Sequence, residues 1–398
     1  MSWKQVKMSD IFEIARGGSP RPIDEFITND ETGINWIMIG DTKNEGKYIH
    51  QTAKKIKVEG VKSSRIVKEG DFLLTNSMSF GRPYILKTSG CIHDGWLVLS
   101  PIDDNIDTDY FYYYLGSPDV KTKLASKAAG AVVKNLNKEI VKSLQIPLPP
   151  LDQQKKIASI LDAADAYRQK TKALISKYDE LTQSLFLDMF GDPVKNEKGW
   201  EVNSGKNVFK LIGGAAFKSK DYTSFGIPLI RIGTVNKSFF DSAQLTFLPY
   251  SFEESYSRYI VYPSDLLITL TGTVGKDDYG NAFALTNEYE KYLLNQRVAK
   301  ICSSENYNLV FLKFFLKQKK VKNELIGVSR GVRQANLSNE DFYKLEVIEP
   351  PLSIQTQFAE RVQVIEQQKA KAQESLEKAE ELFNSLLQKA FKGELVEP

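Results

Sequence analysis

The side chains best suited to chemistry lie in short polar stretches rather than in a metal or nucleophile cluster. The stretch "SRGVRQANLS" (329–338) gathers Arg330, Arg333, Gln334 and Asn336 around one glycine. An arginine can donate two parallel hydrogen bonds to a guanine edge, and Asn or Gln can pair bidentately with adenine. A related stretch, "KAAGAVVKNLNKE" (127–139), brings Lys134 and Asn135 to matched places. Two further loops, "TNSMSFGR" (75–82) and "TLTGTVGK" (269–276), offer Ser77, Ser79 and Arg82 in one and Thr271, Thr273 and Lys276 in the other. Hydroxyls, glycine and a cation suit contact with phosphate through side chains and backbone N–H groups. Residues 43–68 add Lys43, Lys47, Lys54, Lys55, Lys57, Lys62, Arg65 and Lys68 against only Glu45 and Glu59. Lys55 and Lys57 are the expected phosphate anchors there. A lysine run alone more often marks a solvated face. The Arg, Gln and Asn beside glycine turns tip the reading toward nucleic acid.

Other chemistries find little support. The segment "GTVGK" (272–276) lacks the full phosphate-loop spacing and reads as a plain turn. Asp103 and Asp104 sit in the polar loop "PIDDNIDTD" and read as solvated, and His93 beside Asp94 has no nucleophile near it in sequence and reads as structural. Two cysteines and two histidines are too few for a disulfide framework or a four-ligand zinc site, so no metal site is expected. The proline pairs are followed by leucine, which excludes the Asn/Asp-Pro-Pro-aromatic tetrad of amino-methyltransferases. The net charge of +3 over 398 residues announces no globally basic protein. The opening "MSWKQVKMSDIFEI" has no apolar core like that of a signal peptide, and no run reaches membrane length, so a cytoplasmic protein is expected.

The elements that carry these loops occur twice. "IPLPPLDQQKKIA" (146–158) returns 201 positions later as "VIEPPLSIQTQFA" (347–359). The register extends upstream to Gly130, Asn135 and Leu136 against Gly331, Asn336 and Leu337, and downstream to Phe190 against Phe391. Nearer the start the step drifts: Trp3 meets Trp200, and "EGDFLLTNSMSFG" (69–81) meets "PSDLLITLTGTVG" (263–275). Loop insertions in two copies of one fold produce such drift. After each proline pair the apolar positions alternate in steps of three and four. They run Ile157, Ile160, Ala164, Tyr167, Thr171, Leu174, Tyr178, Leu181 and Leu185, then Phe358, Val362, Ile365, Lys369, Ala372, Leu376, Ala379, Phe383 and Leu386. That is a coiled-coil seam on two long helices, each the obvious partner of the other. Leu161, Ile175, Phe186 and Leu382 fall off this seam and are expected to be exposed docking residues. The fronts carry short β-type runs, glycine-rich turns and one aromatic helix each, "DYFYYYLGS" and "LVFLKFFLKQ". The fold class is α+β: two tandem α/β domains separated by two long antiparallel coiled-coil helices, with a pseudo-twofold internal repeat. The expected segments are 1–147 and 193–348 for the domains, 148–192 and 349–398 for the helices.

The whole chain resembles the specificity (S) subunit of type I restriction–modification systems. The likeness rests on an opening W-x-x-V leading into F-x-x-x-x-G-G, then G-D-x-L with a glycine turn, then N-L ahead of I-P-L-P-P-L-x-x-Q-x-x-I-A, the same order returning in looser form in the second half, where Phe358 replaces the isoleucine. It implies that each front is a target-recognition domain reading half of a bipartite double-stranded DNA sequence. It implies that the helices act as a spacer docking two modification (methyltransferase) subunits, with restriction (translocase/endonuclease) subunits completing the complex. It also implies a chain without catalysis or cofactor of its own, S-adenosylmethionine, ATP and magnesium belonging to the partners. A two-headed coiled-coil adaptor between proteins, and a stand-alone enzyme with an unrecognised site, are the alternatives.

Overall fold

A computed structural model describes residues 3–42, 46–76, 81–129, 136–236, 239–240, 245–273, 279–285, 287–326 and 334–396. The chain divides into two compact units, Met1–Lys172 with Gln373–Pro398, and Ala173–Ala372. Each holds one front and a stretch of both long helices, Leu151–Phe190 and Leu352–Lys392.

In the first unit the described residues form two main sheets. One orders Phe12–Arg16, Trp96–Pro101, Phe72–Thr75, Pro83–Leu86 and Tyr48–Ile49; the other orders Ile27–Thr28, Lys54–Ile56, Ile34–Ile37, Gly90–Ile92 and Arg65–Val67. Ile37, Ile49, Leu73, Trp96 and Val98 form a core of their own among these strands. The other faces of Phe72, Leu74, Leu97 and Leu99 join a larger core with the aromatic helix Thr108–Gly116. Strands with both faces buried explain the unbroken apolar runs such as "DFLLT". The second unit repeats the plan with Phe209–Gly213, Val298–Ser303, Leu266–Thr269 and Ala282–Ala284 in one sheet, and Thr246–Leu248, Ile227–Ile230, Tyr292–Leu294 and Ile260–Val261 in the other. Each front is thus built on a pair of sheets.

A short antiparallel ribbon closes each front: Lys4–Lys7 pairs with Gln145–Leu148, and Glu201–Ser204 with Glu346–Glu349. The long helices begin right after these ribbons, at Leu151 and Leu352, because the proline pair cannot continue a strand ladder but is tolerated at a helix start. The repeated glutamine does the joining. Gln154 Nε2 donates to Asn105 O (3.0 Å) and Pro149 O (2.9 Å), while its Oε1 accepts from Asp107 N (2.9 Å). Gln355 donates to Asn306 O (3.0 Å) and Pro350 O (2.7 Å) and accepts from Asn308 N (2.9 Å). Asp107 and Asn308 are the N-caps of the two aromatic helices. One buried amide thus fixes a long helix to the entry of the helix packed beside it.

The helices run antiparallel within each unit. In the first, Tyr167 hydrogen-bonds Ser375 (2.8 Å), and the Arg168 guanidinium lies 4.1 Å over the Phe383 ring. In the second, Lys369 meets Asp179 (2.5 Å), and Phe358 packs edge-on to Phe186 and Phe190. The seam of the second helix is the expected one from Phe358 to Phe383. The first helix departs from expectation. Ile157 and Thr171 are buried as expected, but Leu161, Thr182 and Phe186 are buried off the expected line, while Tyr167, Leu174 and Leu181 on it are exposed. Thr171 and Thr182 donate to the carbonyls of Tyr167 and Tyr178 one turn back, so their hydroxyls are satisfied within the helix and can be buried. The docking set is corrected with it: Leu161 and Phe186 are fully buried, and of the four only Leu382 is strongly exposed.

Candidate nucleic-acid interface

Two of the polar stretches meet. Thr271–Thr273 and Gln334–Asn336 form an antiparallel ribbon in the register Thr271–Asn336, Gly272–Ala335 and Thr273–Gln334. The strand covers Thr271–Thr273, and the rest of "GTVGK" lies outside the described residues. The ribbon is anchored from below: Leu337 N donates to Leu270 O (2.7 Å), and Leu270 N to Arg297 O (2.9 Å). Leu337 is buried, and Asn336 beside it is exposed. Burying the leucine while freeing its neighbour holds the ribbon on the core and presents Asn336. Lys276, Arg330 and Arg333 lie outside the described residues.

The first unit has the same anchor. Leu136 N donates to Asn76 O (2.9 Å), and Asn76 N to Gly95 O (3.0 Å). Ser77, Ser79, Lys134 and Asn135 belong to stretches outside the described residues. The alignment of the two loops needs correction, however. Gly81 N donates to Thr75 O and Gly280 N to Thr269 O, both glycines with positive φ. Arg82 N and Asn281 N in turn donate to the hydroxyls of Thr75 and Thr269 (both 3.0 Å). The counterpart of Arg82 is therefore Asn281, not Lys276, the second loop being longer.

Arg82 is the described cation of the first loop. Its guanidinium lies 5.3 Å from the Tyr84 ring centre, on a cavity of about 420 Å³ whose lining includes Lys121, Asp165, Arg168 and Lys172. Burial, then the charge of Arg82, lowers the Lys121 pKa. Lys55 and Lys57 are carried by or adjoin the other sheet, where their ammonium groups donate to Glu31 O (3.0 Å) and Glu25 O (2.8 Å). They brace the chain that loops past them. Lys47 is not a surface cation at all: its side chain is 12% exposed, held between Asp109 (2.5 Å) and Asp162 (2.7 Å). Lys47, Lys55 and Lys57, close together in the sequence, thus have separate structural roles.

His93 accepts from Gly95 N (2.8 Å), and burial lowers its pKa, in keeping with a structural imidazole. Asp103 and Asp104 are exposed. Among the described residues no three His, Cys, Asp or Glu side chains are grouped to hold a metal ion, and no helix is long and apolar enough to cross a membrane.

Known proteins share this arrangement. The chain is 26% identical over 97% of its length to the type I restriction enzyme MjaVIII specificity subunit of Methanocaldococcus jannaschii, covering 92% of that protein. It is 25% identical over 73% of its length to the EcoKI specificity subunit of Escherichia coli, covering 66% of it. Among solved structures, the type I restriction-modification system S subunit from M. genitalium superposes with a TM-score of 0.55 at 15% identity, with 98% of this chain and 96% of that one covered. A chain from a type I R-M system gives a TM-score of 0.58 at 16% identity, covering 99% and 98%. At such identities the superpositions establish the fold, two tandem α+β domains with paired long helices. The family described as "Type I restriction modification DNA specificity domain" matches residues 1–177 and again 197–381. The chain belongs to that family, with two copies of its domain.

Proposed function

We propose that this chain is the DNA-reading subunit of a type I restriction–modification complex, each front recognising one half of a bipartite double-stranded target. The observation that carries the reading is the anchored loop pair in each unit. Matching main-chain bonds at Asn76–Leu136 and Leu270–Leu337 hold loops that differ in length and side chains. One scaffold with two unlike readers is what a target of two unlike halves requires.

In this reading the chain is non-catalytic and works in the cytoplasm. S-adenosylmethionine, ATP and magnesium serve the partner subunits. Two modification subunits dock on the long helices, supported by the large apolar side chains these leave exposed: Tyr167 and Leu382 in the first unit, Leu174, Leu181, Leu187 and Val364 in the second. Restriction subunits join through the modification subunits. The adaptor alternative is not favoured by any feature of the loops.

The test is co-purification of the full chain with modification subunits, followed by binding to duplex DNA over a salt series. A steep fall of affinity with salt, and methylation only when both proteins are present, is the expected result. Methyl transfer by the chain alone would overturn the non-catalytic assignment.

A further inference from the structure

The second unit holds a polar cleft that the recognition stretches do not include. It has a volume of about 380 Å³ and is lined by Phe217, Tyr222, Arg231, Asn295, Gln296 and Arg297, with Ile232 and Gly233 at its wall. In sequence its core is the triplet "NQR" in "YLLNQRVAK", which interrupts two apolar strands. Tyr292–Leu294 ends before it and Val298–Ser303 begins after it, so the triplet is the turn between the two sheets.

The main chain of this turn is built alike in both units. Gly214 N donates to Val298 O (3.2 Å), as Gly17 N does to Trp96 O (3.0 Å). A Cβ on either glycine would lie about 2 Å from a turn carbonyl, Leu294 O or His93 O, so the glycine at this place in each unit lets the chain pass against the turn. Val298 N donates to Asn295 O (2.9 Å), as Trp96 N does to His93 O (3.1 Å). Arg231 and Met38 occupy the same cap, bonded through N–H to Thr234 Oγ1 (3.1 Å) and Asp41 Oδ2 (2.7 Å). The frame is therefore held by backbone and glycine, and the side chains at 231 and 295–297 are free to differ. They do: Met38, His93, Asp94 and Gly95 stand where the second unit has Arg231, Asn295, Gln296 and Arg297.

In the first unit the polar member is used internally, Asp94 accepting from Ser19 (2.8 Å) and pairing with Arg21 (3.4 Å). In the second unit Gln296 and Arg297 are exposed. Arg231 stacks over Tyr222 (5.3 Å) and donates to Thr246 Oγ1 (2.6 Å), yet its buried Nε has no partner among the described residues. The turn also adjoins the ribbon, since Arg297 O accepts from Leu270 N immediately before Thr271.

Resting on the DNA-reading function above, we infer that this cleft is a base-reading site of the second unit, its Gln296 and Arg297 recognising purine edges in one half-site. Two guanidiniums and two carboxamides are the groups that pair bidentately with guanine O6/N7 and adenine N6/N7. A cytosine reader would instead present a carboxylate, and none of the described lining residues carries one.

The experiment uses the full chain with its modification subunits, acting on a pool of randomised duplexes, with methylated sites identified by sequencing. Gln296→Ala and Arg297→Ala should each lower purine preference roughly ten- to a hundredfold at one or two positions of a single half-site, leaving the other half unchanged. Arg297→Lys keeps the charge but loses the planar fork, and should relax selectivity while retaining affinity. The frame bonds at these positions are main-chain, so folding is preserved, which thermal melts check. Variants that fold and keep the wild-type target, or that lose affinity equally for all duplexes, would overturn the inference. A wild-type complex that selects no sequence would sink the functional reading itself, and this site with it.

Discussion

Lys47 Nζ lies 2.7 Å from Asp162 Oδ1, joining a loop of the first front to the first long helix. Asp109 and the Tyr113 hydroxyl complete the group, Tyr113 donating to the same Asp162 oxygen at 2.6 Å. Three tyrosine rings, Tyr48, Tyr112 and Tyr113, surround the ammonium at 4.9–5.5 Å. Burial alone would lower the Lys47 pKa, but the hydrogen bonds to both carboxylates overcome it and raise it. The paired ammonium therefore stabilises the fold up to high pH and loses that contribution as pH rises through the raised value. Lys47→Met should cost about 1–3 kcal/mol at pH 7, as the two carboxylates lose their shared partner. A chemical denaturation curve with an unchanged midpoint would contradict this.

The two glutamine clamps should be equivalent. Gln154→Ala and Gln355→Ala each leave two carbonyls, one of them buried, and one N–H without their partner, at a cost of about 1–3 kcal/mol. Hydrogen exchange should locate the first loss in residues 105–110 and the second in residues 306–311. Protection lost evenly over the chain would argue against local clamps.

Lys317 predicts a pH effect of opposite sign. Burial, then the charge of Lys313, brings its pKa down to about 8 from the ordinary 10.5. Between those values the unfolded chain holds the extra proton, so stability rises with pH across that window. Lys317→Met should raise the melting temperature by about 2–5 °C at pH 7 and by much less above pH 10. An equal gain at both pH values would mean that packing, not charge, is responsible.

The ribbon gives a prediction about binding. Asn336→Ala, exposed and opposite Thr271, should relax base choice in one half-site by about 1–3 kcal/mol without changing stability. Lys55→Ala and Lys57→Ala should weaken binding to all duplexes through the loops they brace, and lower the melting temperature too. Lysines that act only as phosphate contacts would flatten the salt dependence and leave melting unchanged.

Much of this was legible in the residues because the repeat marks structural necessity. The proline pair and the glutamine three positions beyond its leucine hold main chain in place and recur in register, and a glycine at the sheet-to-sheet turn, Gly17 or Gly214, recurs with them at a drifted step. The seam of the first helix was less legible because apolarity was the guide. Thr182, off the expected line, can be buried by bonding its own helix, whereas Leu174 and Leu181 face outward. The cationic residues were the least legible. Linear density placed Lys47 and Lys55 in one patch, but folding spends one on a carboxylate pair and the other on a carbonyl. The "NQR" turn was hidden by the apolar strands on both sides of it.

The central claim, two fronts reading two half-sites, is tested most directly by sequencing every site methylated by the wild-type complex in a randomised duplex pool. The account predicts two short blocks of fixed sequence separated by a gap of constant length in which all four bases are tolerated. A single contiguous block, or methylation without sequence preference, would contradict it.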